Sequence, residues 1–291
     1  MWSLALDAYY WDRLDQAHEL CATLGAGDAA YGIFVFRMIE AEWLTRQQAK
    51  AEQLDEWLTV EADPKEVKGD IGELHTRIRQ GIAEVRRRIG WDESVPVWVT
   101  ILADECNTPW TPGRHGFCVD KHPFDKICLP SNLTGNPLEL VSAVRHEFAH
   151  VASLNLSRGR VPSWLDEAIA MQMGGELDPD AARFLVEDDA WLGPRDLDEA
   201  FGEDREDEEG REIVWMAYQQ CALIGRYLAE QKGEAFLGGL LRALAPGSVL
   251  AELKMRMLGQ TPADRSLKRL AAVGEEELFE QVYDAYCARF E

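Results

Sequence analysis

The chain has 291 residues, 46% hydrophobic and 28% charged, enough to bury a core without disulfide or metal staples, in one large domain or two modest ones. Its net charge of −22 argues against a nucleic-acid partner, since phosphate binding needs a basic face, and against an anionic membrane surface. No apolar run reaches membrane-spanning length. The opening MWSLALDAYYWDRLD lacks the basic start of a secretory leader, so a cytoplasmic protein with reduced cysteines is expected.

Residues 1 to about 90 read as helices. Leu6, Tyr10, Leu14, Ala17, Cys21 and Leu24 recur at three- and four-residue steps. GAGD breaks the pattern and offers Asp28 as an N-cap. A long helical run is expected from there to about Val60, with Phe36, Ile39, Trp43, Leu54 and Trp57 among its apolar positions. Pro64 marks the next break, and a third helix runs to about Ile89. Short breaks between helices predict a small bundle. LDQAHELCATL and LDEWLTVEADP faintly resemble tetratricopeptide helices, but no clean repeat follows.

At SVPVWVTIL the period changes. Val95, Val97, Val99 and Ile101 alternate with Pro96, Trp98 and Thr100, which predicts a strand. A loop bearing Pro and Gly, ECNTPWTPGRHG, follows. FCVD and KICL then flank KHPFD and read as a hairpin with Pro123 in the turn. A hairpin symmetric about that turn sets Cys118 opposite Cys128, where they pack as thiols, bridge, or join His115 or His122 at a metal. Helices are expected over 137–156, 163–173, 211–231, 234–244 and parts of 248–291, with the acidic run EDREDEEGRE as a solvated loop. A few strands followed by many helices predict an α+β fold.

The first of these later helices carries the chemistry. Asn136 can cap it, Pro137 suits its first position, and Glu139 lies three beyond the cap. In AVRHEFAHVASL, His146 and His150 stand at i and i+4, on one face and one turn apart. Two imidazoles so placed reach one tetrahedral Zn²⁺. Glu147 points to the side of that face, where it can take a proton from a water polarised by the ion without binding the ion itself. Val141, Val144, Phe148, Val151 and Asn155 trace a mostly apolar stripe on the far side, as for a helix lining a cleft floor.

Zinc needs a third protein ligand and an open fourth position. The nearest candidate lies in VPSWLDEAIAMQMGG. Ser163 with Asp166 has the form of a capping box, so a helix should begin at Trp164 with Glu167 in its first turn. Gly159 in the intervening segment can reverse the chain and bring Glu167 to face the histidines. Asp166 is the rival ligand.

RHEFAHVASL followed by VPSWLDEAIA resembles the gluzincin metallopeptidases, in particular the compact peptidase MA-like group, which carry H-E-x-x-H and then P-x-W-L-x-E-G-x-A. The resemblance implies zinc ligation by His146, His150 and Glu167 and a general base at Glu147. Ala168 departs from the usual Gly. AYQQCALIGRYLAEQKG is similar to a downstream helix of the group, which implies Tyr218 as oxyanion donor, with Cys221 where Ser is common; Arg145, His115 and His122 are other donors. The expected architecture is thus α+β: an N-terminal helical bundle over 1–90, then a zincin-like catalytic domain over 91–291 with a small, mostly antiparallel sheet and an active-site helix. The expected activity is zinc-dependent hydrolysis of a peptide or protein substrate, without nucleic acid or membrane. The N-terminal helices could hold a protein partner, cover the cleft or buttress the catalytic domain. The competing readings are a catalytically inactive zinc-binding relative and a helical protein-interaction module.

Overall fold

The computed structural model describes residues 2–24, 30–103, 116–178, 180–187, 190–201, 208–248, 255, 257 and 259–289. Their contacts divide the chain into two units, 1–83 with 93–148 and 84–92 with 149–291.

The first unit opens with helices α1 (Trp2–Tyr10), α2 (Leu14–Leu24) and α3 (Ala30–Gln48), followed by strands β1 (Lys50–Asp55) and β2 (Leu58–Ala62). Helix α4 (Ile71–Ile89) leads to β3 (Val97–Leu102), β4 (Phe117–Asp120) and β5 (Asp125–Pro130). A 3-10 turn (Ser131–Gly135) then feeds helix α5 (Pro137–Ser157). The strands form one sheet in the order β1-β2-β3-β5-β4. Its two outer pairings are antiparallel and its two inner ones parallel, so the fold is α+β with a small mixed sheet rather than a mostly antiparallel one.

The helical run expected up to Val60 stops at Gln48, and KAEQLDEWLTVEA is a hairpin. Its residues favour helix, but Leu58, Val60 and Ala62 are buried, and β2 pairs along its length with β3, Thr59 lying opposite Trp98. Packing and ladder hydrogen bonds override local propensity. The tetratricopeptide-like LDEWLTVEADP is therefore not helical. LDQAHELCATL is a helix, α2.

Helices α1–α3 share a core with the sheet: Ala5, Tyr9, Leu14, Cys21 and Ile39 pack in one cluster with Leu102, Phe117 and Cys128. Beside it lies a buried group of charges. The Glu42 carboxylate of α3 accepts from Tyr9 Oη at 2.8 Å and from Lys121 Nζ at 3.0 Å, and lies 2.8 Å from Lys126 Nζ. Arg46 reaches Glu42 and Asp12, and Lys126 also lies 3.5 Å from Glu61, which accepts from Thr100 Oγ1. Three carboxylates (Asp12, Glu42, Glu61) thus meet three cations (Arg46, Lys121, Lys126). Burial by itself would lift the Glu42 carboxyl, but Lys126, Lys121 and Arg46 outweigh it and hold it down at about 2.

The β4–β5 hairpin forms with Pro123 in its turn, but with Phe117 opposite Cys128 and Cys118 opposite Ile127. This one-residue offset sends Cys118 and Cys128 to opposite faces, and no bond joins them. Cys106 and the loop carrying His115 lie outside the described residues.

The second unit is helical: α6 (Ser163–Gly174), α7 (Ala181–Glu187), α8 (Pro194–Ala200), α9 (Glu208–Lys232), α10 (Glu234–Leu244), α11 (Pro262–Leu270) and α12 (Glu275–Cys287). The short α7 and α8 were not expected. The second half of the acidic run is the start of α9 rather than a loop. Helix α9 crosses α6 at close range: a Cβ on Gly225 would stand 2.1 Å from the Ala168 carbonyl oxygen, so only glycine fits. Among the described residues, no helix is long and apolar enough to cross a membrane.

Candidate metal centre

Helix α5 begins as its sequence requires. The Asn136 side chain accepts from the amides of Leu138 and Glu139 at 3.2 and 3.4 Å, with Pro137 at the first position. Val141, Val144, Phe148 and Val151 are buried as expected, Asn155 is not, and Ala143, Ala149 and Ala152 extend the buried surface. The helix ends where Arg158 and Gly159 adopt φ of 56° and 69°. The Gly159 amide bonds back to Leu154 O at 2.9 Å, a left-handed stop that reverses the chain towards α6.

The histidines of α5 are half-buried, whereas Glu147 is only 4% exposed. The Glu147 carboxylate lies against the start of β4. A Cβ on Gly116 would stand 3.2 Å from Glu147 Oε1 and 2.7 Å from the Cys128 carbonyl oxygen. Gly116 is thus the residue that lets the edge strand approach the carboxylate. Sequence reasoning passed over it as one glycine of a loop.

On α6, Asp166 and Glu167 take different roles around His150. Asp166 Oδ2 lies 2.9 Å from His150 Nδ1, a hydrogen bond. Glu167 Oε2 lies 3.7 Å from His150 Nε2, too far for one. An Nδ1–H donated to Asp166 leaves the Nε2 lone pair facing Glu167. The two acids thus meet different edges of the ring, Asp166 at Nδ1 and Glu167 at Nε2.

One donor atom from each of His146, His150 and Glu167 lies within 4.8 Å of the others. A tetrahedral zinc with bonds of about 2.05 Å spaces its ligands roughly 3.3 Å apart. The 3.7 Å between His150 Nε2 and Glu167 Oε2 is close to that spacing. Two imidazoles and a carboxylate are also the donor chemistry of a catalytic zinc site, and the carboxylate–histidine pair behind it is the usual outer-shell support. The residues fit a zinc ion.

The capping box expected at Ser163 and Asp166 does not form: Ser163 is already the first helical residue, with Pro162 at the N-cap position, and Asp166 Oδ2 faces His150. Asp198 of α8 replaces it, accepting from the Trp164 amide at 2.8 Å.

Tyr218 lies on α9, half-buried, with its ring 5.1 Å from Phe201 in an edge-on arrangement. One turn later, Cys221 is fully buried. Burial pushes its thiol well up, and the charges of Glu167, Asp198 and Asp166 add to that. The face of α9 that carries Cys221 thus lies near the first turn of α6, with Tyr218 one turn along the same face. His122 stands elsewhere, its ring 4.7 Å from Trp11 and its amide bonded to Tyr10 O.

No protein-family model matches the chain, and no curated protein is significantly similar to it.

Proposed function

We propose that this chain is a zinc-dependent metallopeptidase of the gluzincin type. The observation that carries the reading is the convergence of His146, His150 and Glu167 donors within 4.8 Å on helices whose sequence also places Glu147 beside the first histidine. When bound, zinc would polarise the scissile carbonyl and make the attacking water more acidic.

The chain's own residues do the rest. Asp166 holds the His150 ring with Nε2 turned to the ligand side. Glu147 takes the proton of the attacking water as its oxygen adds to the carbonyl carbon. It then delivers that proton to the leaving nitrogen as the C–N bond breaks. Burial of Glu147 beside Gly116 keeps bulk water from its carboxylate. Strand β4 is an edge of the sheet, so a substrate peptide can add to it by main-chain hydrogen bonds, which bind a backbone regardless of its sequence. Tyr218 supplies the donor to the oxyanion.

The purified protein, freed of loosely held metal, should retain about one zinc per chain and cleave a generic peptide pool. A metal-free protein that gains no tightly bound zinc on reconstitution sinks the reading. Zinc binding without cleavage under any condition would leave the inactive relative in its place.

A further inference from the structure

Helix α6 carries Asp166 in its first turn and Glu167 just beyond it, yet no side chain of the helix fixes that turn. Its N-cap position is Pro162, and no side chain of its own caps it. First-turn amides need acceptors; Pro162 O takes those of Leu165 and Asp166, and for the two before them the acceptor comes from another helix. Asp198 Oδ1 takes the Trp164 amide at 2.8 Å, and the same carboxylate interacts with the Ser163 amide. The Trp164 side chain, 1% exposed, is fixed as well. Its indole donates to Glu275 Oε1 at 3.1 Å, and its ring meets Phe279 edge-on at 5.1 Å. Glu275 is in turn held by the Thr261 hydroxyl, and its amide bonds to Asp264 Oδ1 at 3.3 Å. The far end of α6 is tied in the same manner: Arg88 donates to the carbonyls of Met173 and Gln172 at 2.9 and 3.0 Å, and its Nε to Glu234 at 2.9 Å. Close contact with Gly225 sets the middle.

Side chains and close contacts from outside α6 therefore hold it at both ends and in the middle, and the one that caps the turn carrying Asp166 is Asp198. We propose that Asp198 is a positioning residue for the metal site: by capping the first turn of α6 it fixes where Glu167 stands opposite His150 Nε2 and where Asp166 meets Nδ1, with Glu275 as the second anchor. The inference rests on the zinc reading above, and it adds a residue that no metal-binding motif contains. A cap serving stability alone would lower the unfolding midpoint while leaving the zinc affinity of folded molecules unchanged. A positioning cap changes the affinity itself.

The test measures zinc affinity by chelator competition and the ligand-field spectrum of bound Co²⁺, with amide hydrogen exchange on the metal-free protein. Asp198→Ala should lose about 10- to 100-fold in zinc affinity, the range for supporting groups around metal ligands. It should also distort the Co²⁺ spectrum and speed exchange in residues 163–167. Asp198→Asn keeps an oxygen acceptor and loses only the charge, so its affinity should fall about two- to fivefold. Glu199→Ala, on the exposed side of α8, should match the wild type. Should Asp198→Ala fail to fold, Asp198→Ser, with an oxygen on a shorter arm, carries the same expectation. Wild-type affinity in a folded Asp198→Ala or Asp198→Ser protein overturns the inference while leaving the zinc reading intact. Absence of zinc binding by the wild type overturns both, and the exchange data then report whether Asp198 fixes the turn at all.

Discussion

The charged group around Glu42 and the histidine–acid group of α5 and α6 are built on opposite plans. In the first, Asp12, Glu42 and Glu61 face Arg46, Lys121 and Lys126, so the chain supplies its own counterions. Such a cluster ties α1 and α3 to the sheet and has no use for a ligand. In the second, one donor atom each from His146, His150 and Glu167 lies within 4.8 Å of the others, while Asp166 Oδ2 meets His150 Nδ1 at 2.9 Å. Two imidazoles and a carboxylate so grouped have the donor chemistry of a zinc site. If the second group binds zinc as proposed, substitutions in the two should have separable effects.

The largest expected effect is at the second. Glu147→Gln should lower peptide hydrolysis by about 10²- to 10⁴-fold while one zinc per chain is retained, measured by turnover and metal content on the same sample. Full activity in that variant removes Glu147 from the mechanism. Next is Glu42→Gln in the first cluster. It leaves two buried lysines short of a counterion and should cost about 3–5 kcal/mol in urea unfolding, with zinc affinity of the folded fraction unchanged. Altered zinc affinity there would mean that the two plans are not separate. Asp166→Asn reverses the pattern. It should weaken zinc binding about 10- to 100-fold and move unfolding stability by no more than about 0.5 kcal/mol.

The same contrast explains what the sequence disclosed. The proximity of His146, His150 and Glu167 was legible because its determinants are local: an i, i+4 pair on one helix, a cap at Asn136, a reversal at Gly159, and Glu167 near the start of the next helix. What was misread depended on partners far along the chain. The Ser163–Asp166 capping box had the right letters, but the helix begins one residue earlier, with Pro162 at the N-cap position, and the cap comes from Asp198, 34 residues beyond Trp164. KAEQLDEWLTVEA has helix-favouring residues, yet β3 makes it a hairpin. The β4–β5 hairpin was found, but its register was off by one. The turn is centred between His122 and Pro123 rather than on Pro123, which pairs Asp120 with Asp125. Nothing in the residues marks Asp12, Glu42 and Lys126 as neighbours, because they lie far apart along the chain.

The smallest effect concerns acid, and it isolates the first cluster. Burial opposes ionisation of Glu42, but Lys126, Lys121 and Arg46 prevail and bring its carboxyl from 4.5 to about 2 in the folded protein. A depressed carboxyl contributes stability that is fully present above its unfolded value and is lost as pH falls through the folded one. The loss from this group therefore begins near pH 4.5 and is complete below about 2. By pH 4 it should amount to about 1 kcal/mol relative to neutral pH. Other carboxylates titrate over the same span, so the informative quantity is a difference. Urea unfolding of wild type and Glu42→Gln at pH 7 and pH 4 should show the gap between them narrowing by that amount, because glutamine has no proton to gain. A gap that stays constant would mean that Glu42 is not held ionised by its three cations, and the self-neutralised plan of the first cluster would be wrong.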